Sequence, residues 1–374
     1  MKIDILSTAF PLRGGIAHFV GLLYKELKKN HELKVFTFKR QYPAILFPGK
    51  SQLEEKETSE KIPSETIVDS INPINWLKVG KKICNDKPDI LIFKYWMPFF
   101  APCFGTISKL VKKNNHTKIL VICDNVIPHE KKIFDTSLTK YFFNKTDYFI
   151  VLSESVGKDL LSLYPNAKYK LLPHPVYDNF GVSLNKDEAK KYLGINSEKV
   201  ILFFGFIRNY KGLDTLLNAM SKVKSKNIKL LVAGEFYTDK EKYLNIIKSL
   251  ILDDDVILRT DFIPTADVKY YFSASDAVIL PYKSATQSGI VQIAVNFKKP
   301  VIATNVGGLE EVVEDGKAGY IVEKENPDEL ATAIDKFYSE NKEKEFSENI
   351  AKLKEKYSWT NFANGIFELA KNQN

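Results

Sequence analysis

The chain has 374 residues, 44% of them hydrophobic and 27% charged, and carries a net charge of +8. That length suits two globular domains. No apolar run approaches the ~18 residues of a membrane-crossing helix. The short apolar stretch after Lys2 is interrupted by Asp4, Pro11 and Arg13, so no secretory signal is expected.

Strand-like and helix-like runs alternate along most of the chain. Lys2–Leu6 reads as a strand, followed by a turn at Pro11–Gly15. Ile16, Phe19, Val20, Leu23 and Leu27 then share one helical face. Further strands are expected at Leu33–Phe38, Asp89–Phe93, Lys118–Cys123 and Tyr148–Leu152. Residues 42–65 are rich in proline and charge and read as a loop or irregular insertion. After Tyr169–Leu172, the breakers Pro173, Pro175, Asp178, Asn179 and Gly181 mark a linker. The alternation resumes with strands at Val200–Phe204, Lys229–Ala233, Val256–Leu258, Asp276–Leu280, Pro300–Ala303 and Gly319–Val322. Helical faces lie between them, as at Leu213, Leu216, Leu217 and Met220. This is an α/β pattern: two open parallel sheets covered by helices, with a cleft expected between them. The charge-rich stretch 340–355 reads as a solvated helix face.

Open α/β sheets bind ligands at the carboxyl ends of their strands, so loops that follow strands carry the functional expectation. Gly14 and Gly15 open a helix where backbone can approach a phosphate or sugar. The segment GFIRNYKG at Gly205–Gly212 brings Arg208 and Lys211 to a second helix start. It lacks the Ser or Thr after lysine that a P-loop requires, but two cations there suit a diphosphate. In PYKSATQSGIVQ, from Pro281 to Gln292, a loop rich in hydroxyls and amides leads into a helix near Gly289. Ser288 is placed to cap that helix, and the amides of Ser288, Gly289 and Ile290 would face a ligand.

Other chemistries are disfavoured. Cys84, Cys103 and Cys123 have neither metal nor disulfide spacing. The five histidines lack zinc spacing, and Asp253–Asp255 sits at the wrong strand end for a ligand. Only four arginines (Arg13, Arg40, Arg208, Arg259) stand among the 54 cations, which argues against nucleic-acid readout. Lys109, Lys112, Lys113, Lys131 and Lys132, near the aromatic run Trp96–Phe100, instead suggest weak attraction to anionic membrane.

The motifs together resemble glycosyltransferase family four. They are GGIAHF near the start, DNVIPHE at Asp124–Glu130, FFGFIRNYKGLDTLL at Phe203–Leu217, LLVAGE ending at Glu235, ASDAVILPY at Ala274–Tyr282, KPVIATNVGGLEEVVEDGKAGYIV at Lys299–Val322, and YSW at Tyr357–Trp359. The resemblance implies the GT-B fold, two Rossmann-like domains facing across a cleft. The acceptor domain would be residues 1–178 plus 359–374, the last helix crossing back to it. The nucleotide-sugar domain would be 179–358. It further implies a retaining, metal-independent, hexosyltransferase-like enzyme in cell-surface polysaccharide synthesis. The enzyme would move sugar from a nucleotide diphosphate to a glycan or lipid-linked hydroxyl, without a cofactor. The expected location is cytoplasmic, peripheral at the inner face of the cell membrane. Arg208, Lys211 and Asp124 would be catalytic. Gly14, Gly15, His18, His129, Gly205, Glu235, Thr286, Gln287, Ser288, Gly289, Ile290 and Gln292 would bind substrate.

The chain departs from the family in three places. Phe206 stands where the usual arginine would be. Ala285 and Ile293 replace two glutamates. Asp124 replaces the histidine that often precedes asparagine. A non-catalytic nucleotide-sugar-binding subunit and a nucleotide-sugar epimerase are the competing readings.

Overall fold

A computed structural model of the chain describes residues 1–43, 52–53, 61–128 and 133–371. The chain divides into two units, Met1–Pro175 with Ser358–Asn374, and Val176–Tyr357. Most of the expected insertion at 42–65 lies outside the described residues.

The first unit holds β1 (Lys2–Leu6), α1 (Gly15–Lys28), β2 (Glu32–Arg40), β3 (Glu65–Asp69), α2 (Pro73–Asp86), β4 (Ile90–Tyr95) and α3 (Ala101–Val111). It continues with β5 (Lys118–Cys123), α4 (Asp135–Phe143), β6 (Tyr148–Val151), α5 (Glu154–Leu163) and β7 (Tyr169–Leu171), and ends with α13 (Trp359–Lys371). Its seven strands lie in the order β3-β2-β1-β4-β5-β6-β7. All pairings are parallel. The expected strands are present within a residue or two. The sheet also gains β3, which starts where the expected irregular stretch ends, and the three-residue edge strand β7. Continuous apolar runs such as ILVIC in β5 are fully buried, as a sheet covered on both faces requires.

The second unit holds α6 (Lys186–Leu193), β8 (Lys199–Phe204), α7 (Leu213–Met220), β9 (Ile228–Ala233), α8 (Lys240–Ser249), β10 (Val256–Arg259) and α9 (Val268–Ala274). It continues with β11 (Ala277–Leu280), α10 (Gly289–Asn296), β12 (Val301–Thr304), β13 (Gly319–Val322), α11 (Pro327–Ser339) and α12 (Glu343–Lys356). Six parallel strands run β10-β9-β8-β11-β12-β13. Asp276 holds the start of β11 by accepting hydrogen bonds from the Val200 amide, Lys186 and Tyr338 at 2.7–2.9 Å.

In both sheets the strand order reverses beside the first strand. The first unit switches between β1 and β4, the second between β8 and β11. At such a point the flanking loops diverge and leave a crevice at the carboxyl strand ends. The glycine turn after β1 and the two expected loops after β8 and β11 sit at these positions.

The aromatic run Trp96–Phe100 does not form an exposed patch. Phe100 is fully buried, and Trp96, Met97 and Phe99 pack against the core. The Trp96 indole N–H donates to the Tyr42 hydroxyl at 3.0 Å. Of the five lysines beside it, Lys112 is paired with Asp147 at 2.8 Å, and Lys131 and Lys132 lie outside the described residues. Lys109 and Lys113 are exposed.

Candidate functional site

The second unit assembles most of the expected residues around its switch point. β8 ends at Gly205, whose φ of +100° suits glycine. The chain runs through a short 3-10 turn, Asn209–Lys211, to Gly212 at φ +69°, where α7 begins. Glycine is required at 212 on a second count. A Cβ there would stand 1.8 Å from the Pro281 carbonyl oxygen. The loop after β11 therefore lies directly on the loop after β8. Two lysine contacts hold them together: the Lys283 amide donates to the Tyr210 carbonyl at 2.7 Å, and its ammonium pairs with Asp214 at 2.8 Å. Lys242 shares Asp214 at 3.1 Å. Burial would raise the Asp214 pKa, but these two lysines hold it below the usual carboxylate range.

Lys211 differs from its lysine neighbours. It is only 9% exposed, and among the described residues no carboxylate or hydrogen-bond acceptor engages its ammonium. Its electrostatic contact is with the face of Tyr282, 5.5 Å away. Burial, and then the charge of Arg208, push its pKa down from 10.5 to about 8. A cation buried without a counter-ion is costly, so a site that keeps one is prepared for an anion. A side chain at Gly205 would stand 3.1 Å from the Lys211 ammonium and 3.4 Å from Ile290 Cδ1, so these three residues meet. Arg208 is exposed, with its guanidinium 5.1 Å from the Tyr237 ring. Phe206 stacks on the same ring at 4.4 Å.

At α10 the serine caps as its position suggested: Ser288 Oγ accepts the Ile290 amide at 3.3 Å. That amide, expected to face a ligand, serves the helix. Tyr282 and Ser288 hydroxyls share a hydrogen bond at 3.3 Å. Thr286 lies in the same loop, and its carbonyl accepts the Gly308 amide at 2.9 Å. The Gln287 side-chain oxygen Oε1 is buried. Gln292 is 1% exposed, and its side-chain carbonyl has no partner among the described residues. A buried unpaired amide costs ~1–3 kcal/mol, which a ligand donor would recover. Glu235 follows β9, and its backbone carbonyl accepts the Ile207 amide at 2.9 Å. Ala285 and Ile293 bring no carboxylate to this loop.

The first unit has its own polar cluster. Gly14, at φ +108° with no atom within 4 Å of a would-be Cβ, precedes Gly15 at the start of α1. His18, one turn into α1, is driven by burial to a pKa of about 4 and is neutral. Asp124 follows β5 and pairs with Lys94 of β4 at 2.7 Å. Lys94 is 2% exposed and its ammonium lies 3.6 Å from the Phe19 ring centroid. Burial lowers its pKa despite Asp124. His174, buried and pushed to about 3 by burial and then Lys94, meets the same Phe19 ring edge-on at 5.2 Å. Asp124 is thus tied to a buried cation, a partner not anticipated. The signal was the lone lysine in the apolar strand ILIFKY, since a charge in a fully buried strand needs a partner. His129 lies outside the described residues.

Asp255 pairs with Lys229 at 3.1 Å, away from both switch points. Among the described residues no cluster of His, Cys, Asp or Glu could hold a metal ion.

Residues 185–354 match the family model described as glycosyl transferases group 1. An uncharacterised glycosyltransferase of Methanocaldococcus jannaschii is 29% identical, the alignment covering 97% of this chain and 96% of the relative. The lipopolysaccharide 1,2-N-acetylglucosaminetransferase of Salmonella typhimurium is 28% identical over 93% of this chain and 86% of that protein. Among solved structures, HepE of Anabaena in complex with UDP superposes with a TM-score of 0.77 at 16% identity, covering all of both chains. The two parallel-sheet units are those of the GT-B fold, and the relatives support a glycosyltransferase.

Proposed function

We propose that the chain is a retaining, metal-independent glycosyltransferase. It transfers a hexose-like sugar from a nucleotide diphosphate to a glycan or lipid-linked hydroxyl, in cell-surface polysaccharide synthesis at the inner face of the cell membrane. The observation that carries this reading is Lys211: a buried ammonium at a switch point, with no counter-ion among the described residues, beside Arg208 and the start of α10. As the bond from the anomeric carbon to the diphosphate breaks, negative charge grows on phosphate. Lys211 and Arg208 stabilise that charge in place of a metal. The acceptor oxygen attacks from the face the diphosphate leaves, and its proton passes to a phosphate oxygen. No side-chain base is then required. Gln287, Ser288 and Gln292 would take the hydrogen-bonding role left by Ala285 and Ile293. Asp124, fixed by Lys94, would bind acceptor or donor sugar in the first unit's site with Gly14, Gly15 and His18.

A panel of UDP-, GDP- and ADP-sugars, screened by thermal stabilisation, identifies the donor, since ligand at 100 times Kd adds ~2.7 kcal/mol. Transfer is then followed with excess chelator, and the anomeric configuration of the product is read by NMR. Undiminished transfer with retained configuration supports the reading. A magnesium requirement or an inverted product overturns it. Tight donor binding without transfer would mark a binding subunit instead.

A further inference from the structure

The outer face of α2 carries a segregated pattern that the sheet and core do not explain. Its inner face is committed: Val79, Gly80 and Ile83 are buried, and a Cβ on Gly80 would stand 2.7 Å from Leu110 of α3. On the outer face, Ile74 is 68% exposed, Leu77 45%, and Ile71 just before the helix 42%. Lys78, Lys81 and Lys82 continue the same stripe and are exposed. Positions 74, 77, 78, 81 and 82 follow helical spacing, so the apolar residues sit at one end of a single face and the lysines at the other. Among the described residues, the acids near this face are paired: Glu65 with Lys82 at 3.3 Å, Asp69 with Arg40, and Asp86 with Lys34 at 2.7 Å. Lys109 on the adjoining α3, and Lys113 in the 3-10 turn that follows it, add exposed cations.

We infer that this face of α2 docks onto an anionic lipid surface, with Ile71, Ile74 and Leu77 entering the headgroup boundary and Lys78 and Lys81 meeting lipid phosphates. The inference rests on the membrane part of the proposed function and moves it from the aromatic run, which packs against the core, to α2. Exposed apolar side chains beside lysines suit an interface that is apolar below and anionic above. A water-dissolved polyanion would use the lysines but leave the isoleucines and leucine wet. A second copy of the chain meeting this face symmetrically would set lysine against lysine.

The test is flotation of the full chain with vesicles of phosphatidylcholine alone and of phosphatidylcholine mixed with phosphatidylglycerol. Wild type is expected to float with the mixed vesicles and not with the neutral ones, less so as salt rises. Lys78→Ala with Lys81→Ala should lower the partition ~25-fold, at about fivefold for each cation. Ile74→Asp with Leu77→Asp should abolish flotation. All four side chains are exposed, so melting temperatures should match wild type; should the aspartate variant unfold, the lysine variant decides alone. Flotation equal on both vesicle types, or unchanged by either variant, overturns the inference, as does a concentration-dependent dimer that the aspartate variant dissolves. Transfer to a water-soluble acceptor is measured in parallel. Its persistence while flotation fails refutes the docking face and leaves the enzymatic reading standing.

Discussion

Replacing Lys211 by methionine separates a ligand-binding cation from a structural one. Methionine keeps most of the apolar stem and removes the charge. A drop in pKa from 10.5 to about 8 corresponds to ~3 kcal/mol by which the folded protein disfavours the ammonium. Because the folded value is depressed, the folded state binds fewer protons than the unfolded chain between pH ~8 and ~10.5, and stability rises with pH there. Below that window the penalty is present in full. Lys211→Met should therefore raise the unliganded unfolding free energy at pH 7 by ~1–3 kcal/mol, and flatten the rise with pH. In the same protein, kcat should fall ~10²–10³-fold, the scale for losing one preorganised charge stabiliser. Wild-type donor affinity should weaken above pH ~8 as the lysine loses its proton, and the variant should show no such dependence. Urea unfolding from pH 7 to 10, with calorimetric donor titration, measures both halves. A variant that loses stability without ligand, or that binds donor as wild type does, would refute the assignment.

Gly212→Ala should cost more than ~2 kcal/mol in urea unfolding and weaken donor binding, because its Cβ would collide with the Pro281 carbonyl at 1.8 Å. Ser288→Ala should cost ~1 kcal/mol through loss of the α10 cap. Gln292→Leu should leave stability near wild type or higher while weakening donor binding, and an unaltered donor Kd would remove Gln292 from the site. Asp4 lies buried on β1, and neither carboxylate oxygen has a hydrogen-bond partner among the described residues. Burial, and then Asp86, raise its pKa to about 7. The folded state thus binds the extra proton between pH ~4 and ~7, and stability falls as pH rises through that window. Asp4→Asn should remove this fall and be more stable than wild type at pH 8, as read by melting temperature against pH.

The parallel sheets were legible because each central strand is a continuous apolar run, as in Val200–Phe204. A strand covered on both faces admits little else. β3 was obscured because ETIVD is short, partly polar and adjoins a proline-rich insertion. The loop positions of Arg208, Lys211 and Ser288 could be read from breakers that follow strands. Their electrostatics could not, since whether Lys211 or Lys283 meets a carboxylate depends on where Asp214 falls after folding. The Lys94–Asp124 pair joins residues 30 positions apart, one on β4 and one just past the end of the neighbouring β5. That adjacency follows from strand order, which no local pattern encodes. The aromatic run Trp96–Phe100 shows the converse: its composition suggested a surface, and its place at the end of a buried strand packs it against the core, with Phe100 fully buried.

The packing of α13 also orders events in time. Phe19 meets Trp359 at 5.0 Å and Phe362 at 5.6 Å between ring centroids. Thr360 bonds to Glu26 at 2.9 Å. These contacts close a loop that contains the whole second unit. During synthesis, Val176–Tyr357 emerges as one uninterrupted stretch with its own sheet and can complete its core first. The earlier-made first unit must wait for α13 before Phe19 is sealed. The nascent protein therefore carries an open apolar seam along α1 until α13 is released. A chain halted after Tyr357 would keep that seam permanently, so the seam offers chaperones and proteases a direct check on whether α13 has been made.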